Sequence, residues 1–248
     1  MALSGYSTGR MWYTFSTKYK GGTHMRKRIK LKDRLLPDYT IAEEITNMVS
    51  HIAGGALGIA ALVLCVLTAA AHGNIFGIIG SAIYGGTMII LYTMSSVYHG
   101  LRPGMGKKVL QVLDHCTIYL LIAGTYTVIA LSALRPIFPK LGWGMLIFQW
   151  TFTAIAVTLT AIDLEKYNVF SMICYIGMGW AIAVFIPQTI QVLSYPGFML
   201  LLSGGISYTI GAILYGIGSK VHWMHSIFHI FVVIGSFLQF LSILLYAL

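Results

Sequence analysis

The chain has 248 residues, of which 57% are hydrophobic and 9% are charged, and its formal net charge is +9. Such a small number of charged side chains cannot cover the surface of a water-soluble domain. The composition therefore excludes a water-soluble protein and indicates an integral membrane protein. Membrane topology and contact with anionic lipids account for the excess of Lys and Arg, so we expect no nucleic-acid partner.

Residues 1–42 form a polar, basic tail with no cleavable signal pattern. The codons of Lys20, Gly21 and Gly22 can spell a purine-rich ribosome-binding site ahead of Met25. One hypothesis is therefore that translation starts at Met25 and that residues 1–24 are not translated. The alternative is an ordinary flexible tail. The mass of the intact protein from its host distinguishes the two, because a mass that includes residue 1 excludes the first.

Residues 43–248 are predicted to form one all-α membrane domain, a seven-transmembrane helix bundle. A membrane-spanning helix needs about 20 predominantly apolar residues. Polar, Pro and Gly breaks divide this part of the sequence into seven such runs: 45–71, 75–101, 108–132, 141–161, 168–186, 197–217 and 223–247. The loops 72–74, 133–140 and 187–196 then share one side of the membrane.

The distribution of Lys and Arg predicts the orientation of the bundle. Residues 1–40, the loops 102–108 and 162–167, and Lys220 carry 14 Lys and Arg on one side, whereas the other side has only Arg135 and Lys140. Because positive charges concentrate in cytoplasmic loops, the N-terminus is predicted to be cytoplasmic. Seven spans then place the C-terminus outside.

Two histidines begin the last predicted span, in the sequence His225-Ser226-Ile227-Phe228-His229. Residues at i and i+4 lie on the same face of a helix. Histidine is costly inside hydrocarbon, and two imidazoles on one face form a metal clip for which zinc is the commonest occupant. The pattern therefore predicts a metal site, provided that other spans bring ligands to the same depth.

The predicted topology brings further polar groups to that depth, near the inner face. His99 lies near the end of the second span and Asp114 about two turns into the third. Three histidines and an aspartate suit zinc, with Asp114 either as a ligand or as the general base that acts on a zinc-held water. Ser95, one turn before His99, faces the same way and can bind the water, a substrate carbonyl or the His99 ring.

Three residues at the start of the first span, Glu44, Asn47 and His51, form one helix stripe at this depth. Their functional interpretation is that they support the ligands or contact a substrate headgroup. The alternative is capping of the helix end and ordinary interfacial polarity. His115 is about 100° around the helix from Asp114, so we do not expect it to share the site.

These residues together resemble the motif set of the hemolysin III family, bacterial relatives of the progestin and adiponectin receptor family within a superfamily that includes alkaline ceramidases. The resemblance covers roughly residues 43–248 and rests on four motifs: Glu44-x-x-Asn47-x-x-x-His51, Ser95-x-x-x-His99, Asp114 and His225-x-x-x-His229. It implies a multi-pass protein of the bacterial plasma membrane. It also implies that His99, His225 and His229 bind zinc and that Asp114 and Ser95 lie at the zinc water.

Three functions remain open on this evidence. The first is an intramembrane zinc-dependent hydrolase that acts on a lipid amide or ester and serves membrane lipid homeostasis, as the resemblance to ceramidases implies. The second is a pore-forming cytolysin, as the family name implies. The third is a receptor-like sensor of membrane state with structural zinc. A membrane lipid is the expected substrate or ligand. The sequence does not predict which lipid, nor the oligomeric state.

Overall fold

The computed structural model describes residues 29–218 and 221–248. This part of the chain is helical and contains no strand. A short 3-10 helix, Leu31–Asp33, precedes the helices α1 (Ile41–Ala71), α2 (Ile75–Gly100), α3 (Met105–Val128), α4 (Arg135–Ile137), α5 (Pro139–Ile162), α6 (Asn168–Gly179), α7 (Ile186–Gly218) and α8 (Met224–Tyr246). A π-helical turn, Ile129–Leu134, joins α3 to α4, and a 3-10 segment, Ala181–Phe185, precedes α7.

Six helical segments of the described ranges are long and apolar enough to cross a membrane. The prediction of an all-α, multi-pass membrane protein is therefore confirmed. The hypotheses that concern residues 1–24 and the charge of Lys220 lie outside the described residues.

The first helix begins earlier than predicted, at Ile41 rather than at residue 45, because a capping box precedes it. The Thr40 hydroxyl accepts a hydrogen bond from the Glu43 amide at 3.2 Å, and the Glu43 carboxylate accepts one from the Thr40 amide at 2.8 Å. Such a reciprocal pair satisfies two backbone donors that the first helical turn leaves free. The capping role therefore belongs to Glu43, which leaves the next residue, Glu44, available to the interior.

The fifth apolar segment, Asn168–Gly218, has 51 residues and is folded back on itself. A straight helix of that length would extend about 77 Å, more than twice the thickness of the hydrocarbon core. At Ser194 the backbone leaves helical geometry, with φ 59° and ψ 168°. The Trp180 indole Nε1 donates to Thr209 Oγ1 at 3.0 Å. The two halves of the segment therefore lie side by side.

Two predicted loops, 133–140 and 187–196, are largely helical, and the predictions were wrong for the same reason. Prolines were taken as breaks in the helices. However, Pro136 and Pro139 lie in the first turns of α4 and α5, and Pro187 is the second residue of α7. Proline is favoured in the first turn, because the amide that it lacks has no helical partner there. Only the Ser194 break, followed by Pro196, interrupts α7.

The packing of the helices brings the two ends of the domain together. α1 packs against α2, α2 against α3, and α8 against both α7 and α1. Since α1 and α8 begin, and α2 ends, at the same face of the bundle, residues near positions 44, 99 and 225 become neighbours.

Gly85 permits the close approach of α1 and α2. A Cβ atom at this position would lie 2.5 Å from the Leu62 Cα, whereas one at Gly86 would have no neighbour within 4 Å. We expect Gly85→Ala to lower the melting temperature of the detergent-solubilised protein, because overpacking costs about 1–3 kcal/mol. Gly86→Ala, the matched control, is expected to melt at or above the wild-type temperature. Equal melting of the two variants would contradict the close approach.

Candidate metal centre

Three histidines converge at the face where α2 ends and α8 begins. His99 lies in the last turn of α2, and His225 and His229 lie in the first two turns of α8. One ring nitrogen from each lies within 4.8 Å of the other two, and all three side chains are buried. The Nε2 atoms of His225 and His229 are 3.0 Å apart. The structure thus brings together the residues predicted as metal ligands, here called the three-histidine group.

The geometry of this group fits a metal ion. Nitrogen ligands at 2.0–2.1 Å from a tetrahedral zinc ion lie about 3.4 Å apart, which is within the observed spacing. His99 Nε2 is buried and has no hydrogen-bond partner in the described part of the chain. Its other nitrogen, Nδ1, lies 2.6 Å from Glu44 Oε2. Histidines that bind metals characteristically donate their second N–H to a carboxylate in this way.

The residues around His99 come from three helices. Glu44 from α1 contacts His99 Nδ1, as does the Asn47 amide nitrogen at 3.4 Å. Both residues were predicted to support the ligands. Sequence reasoning missed Lys107, from the first turn of α3, whose ammonium lies 2.5 Å from Glu44 Oε1 and donates to the Leu101 carbonyl at 3.0 Å. From the sequence, Lys107 was used only as one of the positive charges that predict the orientation of the bundle.

His51, the third residue of the predicted stripe, packs against a different ligand. Its ring stacks on that of His229, with centroids 3.8 Å apart and planes 25° from parallel. Both of its ring nitrogens are buried, and neither has a hydrogen-bond partner among the described residues. His51 therefore positions the ring of His229 by stacking, and its own ring nitrogens are not used for hydrogen bonds within the described residues.

The start of α8, which carries two of the three histidines, is held by Glu43. The Glu43 carboxylate accepts a hydrogen bond from the Trp223 amide at 2.6 Å, and the His222 ring lies 3.2 Å away. Trp223 has a left-handed backbone, with φ 69°, which is uncommon for a bulky residue. Adjacent glutamates thus serve different histidines, since Glu43 positions the helix that carries His225 and Glu44 contacts His99.

Tyr39 closes another side of the three-histidine group. Its ring stacks on that of His225 at 4.8 Å and lies 5.9 Å from that of His99. Burial raises the pKa of the Tyr39 phenol well above its usual range, and the negative groups around it raise it further. The phenol therefore stays protonated. Tyr39 belongs to none of the sequence motifs and lies in the polar tail, residues 1–42.

A cavity of about 180 Å³ adjoins the three-histidine group. His51, Ser95, Asp114, His225 and His229 contribute to its lining. Asp114 is not part of the three-histidine group, although it lines the same space. Most of the remaining lining is apolar and comes from α3, α6, α7 and α8.

The cavity also extends far along the bundle. On α3 the lining runs from Asp114 to Tyr126, a distance of about 18 Å at the rise of an α-helix. It is therefore polar beside the histidines and apolar over the rest of its length.

His115 is outside the three-histidine group, in agreement with the expectation, but it lines the same cavity. Its Nδ1 lies 2.8 Å from the Gln111 carbonyl, which makes Nδ1 the donor, and its Nε2 then accepts from the Tyr215 hydroxyl at 3.0 Å. Both side chains line the cavity. An angle of about 100° around α3 separates His115 from Asp114, but the cavity is wide enough to include both because it spans the interface of α3 with α7.

Comparison of the sequence with known proteins finds relatives that match most of its length. A family described as "Haemolysin-III related" matches residues 39–240. "Hemolysin-3" of Bacillus cereus is 38% identical over 84% of this chain and 93% of that protein. "Hemolysin-3 homolog" of Bacillus subtilis is 35% identical over 84% of this chain and 96% of its own length. The human "Monocyte to macrophage differentiation factor" is a more distant relative, 25% identical over 65% of this chain and 67% of that protein.

Proposed function

This chain belongs to the haemolysin-III-related family, and on that premise we propose that it is an intramembrane zinc-dependent hydrolase of a membrane lipid. The bond cleaved is an amide or ester, and the role is in membrane lipid homeostasis. The proposal rests on one observation, a cavity that has histidines at one end and an apolar lining over the rest of its length. His225 and His229 line a cavity that is otherwise mostly apolar and long enough to take an acyl chain. A lipid carbonyl would then lie beside the histidines.

His99, His225 and His229 would hold the zinc ion, which when bound supplies a Lewis acid and makes water nucleophilic near neutral pH. Asp114 lines the cavity outside this ligand group. Its carboxylate would accept a proton from the attacking water and pass it to the leaving group. Ser95, one turn before His99 and also in the lining, would orient that water or the substrate carbonyl through its hydroxyl.

The number of converging ligands favours catalysis over a structural role for the metal. Catalytic zinc sites typically have three protein ligands and one open position, whereas structural sites have four. The group that converges in the described residues has three histidines and excludes Asp114. This supports a hydrolase over a sensor with structural zinc.

Pore-forming cytolysis is a second candidate, and the name of the Bacillus cereus relative, "Hemolysin-3", favours it. The cavity argues against it, because most of its lining is apolar. A conducting pore requires polar groups or dipoles along its length. We therefore place lytic activity second, as an indirect consequence of altered lipids.

The experiment that tests the proposed function is lipid profiling of the host. Cells that express the wild type are compared with cells that express Asp114→Asn at equal protein level. A hydrolase depletes one lipid class and accumulates its cleavage product only with the wild type. Identical lipid profiles over the full range of classes would contradict the hydrolase.

We further propose seven spans, with the N-terminus in the cytoplasm and the C-terminus outside. The folding back of Asn168–Gly218 supports two spans within that segment. A C-terminal alkaline phosphatase fusion, which is active only outside the cytoplasm, is expected to be active, and a green fluorescent protein fusion to be dark. As a control, fusions after Lys166 should behave in the opposite way. A fluorescent C-terminal fusion would mean an even number of spans.

A further inference from the structure

Lys107 is a buried cation in an unfavourable place. Its side chain is 4% exposed. It is the third residue of α3, in the first turn, where the helix carries a partial positive charge that disfavours cations. Lysine is rarely buried without a partner. The contacts that compensate this placement therefore indicate what the residue does.

The three contacts of the Lys107 ammonium all lie around the end of α2 and the start of α1. It donates to Glu44 Oε1 at 2.5 Å and to the Leu101 carbonyl at 3.0 Å. It also lies 5.1 Å from the centroid of the Tyr98 ring, within the range of a cation–π contact. These contacts fix the ammonium in space and direct it at one oxygen of Glu44.

Glu44 passes this constraint to a predicted metal ligand. Its second oxygen, Oε2, lies 2.6 Å from His99 Nδ1. With Nδ1 as the donor to this carboxylate, the lone pair of His99 is on Nε2, the atom that is buried without a partner in the described residues. A continuous chain therefore runs from Lys107 through Glu44 to the nitrogen of His99 that faces the three-histidine group.

We propose that Lys107 is a positioning residue of the metal centre, which acts through Glu44 on His99. By holding Oε1, it prevents the carboxylate from turning away, so that Oε2 keeps the Nδ1–H of His99 and Nε2 stays directed at the metal. This inference rests on the proposed zinc centre. Glu44 needs such a restraint because it is 20% exposed and has water as an alternative partner.

The test is the zinc affinity of the full-length protein in detergent, measured by competition with a chelator of known affinity. Lys107→Met is expected to weaken zinc binding by about tenfold, since residues that orient metal ligands typically contribute 10–100-fold to affinity. Lys108→Met is the matched control. It removes the same charge from the adjacent residue, whose ammonium donates to the Lys32 carbonyl, whereas the ion pairs of Glu44 among the described residues are with His99 and Lys107. Lys108→Met is expected to bind zinc like the wild type.

A double-mutant comparison distinguishes positioning from a general structural role. If Lys107 acts through Glu44, adding Lys107→Met to Glu44→Gln should weaken zinc binding no further than Glu44→Gln does alone. Additive losses would overturn the proposal. So would a Lys107→Met protein that binds zinc like the wild type but melts at a lower temperature when zinc-free, because that result describes a structural anchor.

Two further outcomes keep the inference separate from the proposed function. A wild-type protein that binds no zinc would refute the zinc centre itself, and this inference with it. Zinc binding by the wild type with unchanged affinity in Lys107→Met would refute only the role of Lys107.

If Lys107→Met does not fold, Lys107→Gln is measured instead, because its side chain is polar but one bond shorter and uncharged, so it cannot hold Glu44 Oε1 as the ammonium does. It should bind zinc more weakly than the wild type, and equal affinity would overturn the proposal.

Discussion

Alanine at His225 or His229 is expected to abolish zinc binding. Wild-type protein should contain about one zinc per chain, as a single tetrahedral site requires. Each substitution removes one of three converging ligands, so affinity should fall by more than the roughly 100-fold that loss of an orienting residue can cost. Metal analysis of the purified proteins measures this directly.

The same variants should also lose the stabilisation that zinc provides. A metal ion whose free concentration is about 1,000 times its dissociation constant stabilises the folded state by about 4 kcal/mol. Adding a chelator should therefore lower the melting temperature of the wild type but not that of His229→Ala. His72→Ala is the control, because His72 is exposed and its Nδ1 contacts the Leu248 carbonyl, at the opposite end of α1. Full zinc content in both His225→Ala and His229→Ala would show that neither residue is a ligand.

Asp114→Asn is expected to separate metal binding from catalysis. Asp114 lies outside the three-histidine group, so the variant should keep its zinc and its melting temperature. Hydrolysis of the lipid substrate should fall by about 10²–10⁴-fold, the usual contribution of a general base. Zinc content, melting temperature and lipid products should be measured on the same preparation. Ser95→Ala is a useful companion, since loss of one hydroxyl should reduce turnover less than loss of the carboxylate.

The result for Asp114→Asn also distinguishes the competing functions. Zinc lost together with thermal stability would make Asp114 a direct ligand of a closed site, and would favour the sensor. Dye release from loaded vesicles that is equal for wild type and Asp114→Asn would favour the cytolysin. Only retention of zinc with loss of lipid cleavage is consistent with the hydrolase.

The convergence of the three histidines was largely predictable, because a membrane fixes the depth of every residue in a span. Counting Lys and Arg gave each span a direction, and position along the span then gave depth. This placed His99, Asp114 and His225 near one face although they are distant in sequence. Helix periodicity supplied the other coordinate, since His225 and His229 share a face of α8. Both rules are local, and neither requires knowledge of how helices pack.

The residues that the sequence did not reveal depend on packing between helices. Lys107 carries no motif, and its partner Glu44 is 63 positions away. Tyr39 precedes the first helix, and only the fold places its ring on His225. The place of His115 in the cavity depends on its partner, Tyr215, which comes from α7. In each case the deciding contact joins elements whose relative position the sequence does not encode locally.

The order in which the ligands are synthesised follows from their positions in the chain. His99 is made 126 residues before His225. At about 5–20 residues per second, the ribosome needs about 6–25 s to cover that interval. The three-histidine group therefore cannot form until the last helix has entered the bilayer and docked beside α1. If this group holds zinc as we propose, only full-length chains can be loaded, because a chain truncated before α8 has His99 but lacks His225 and His229.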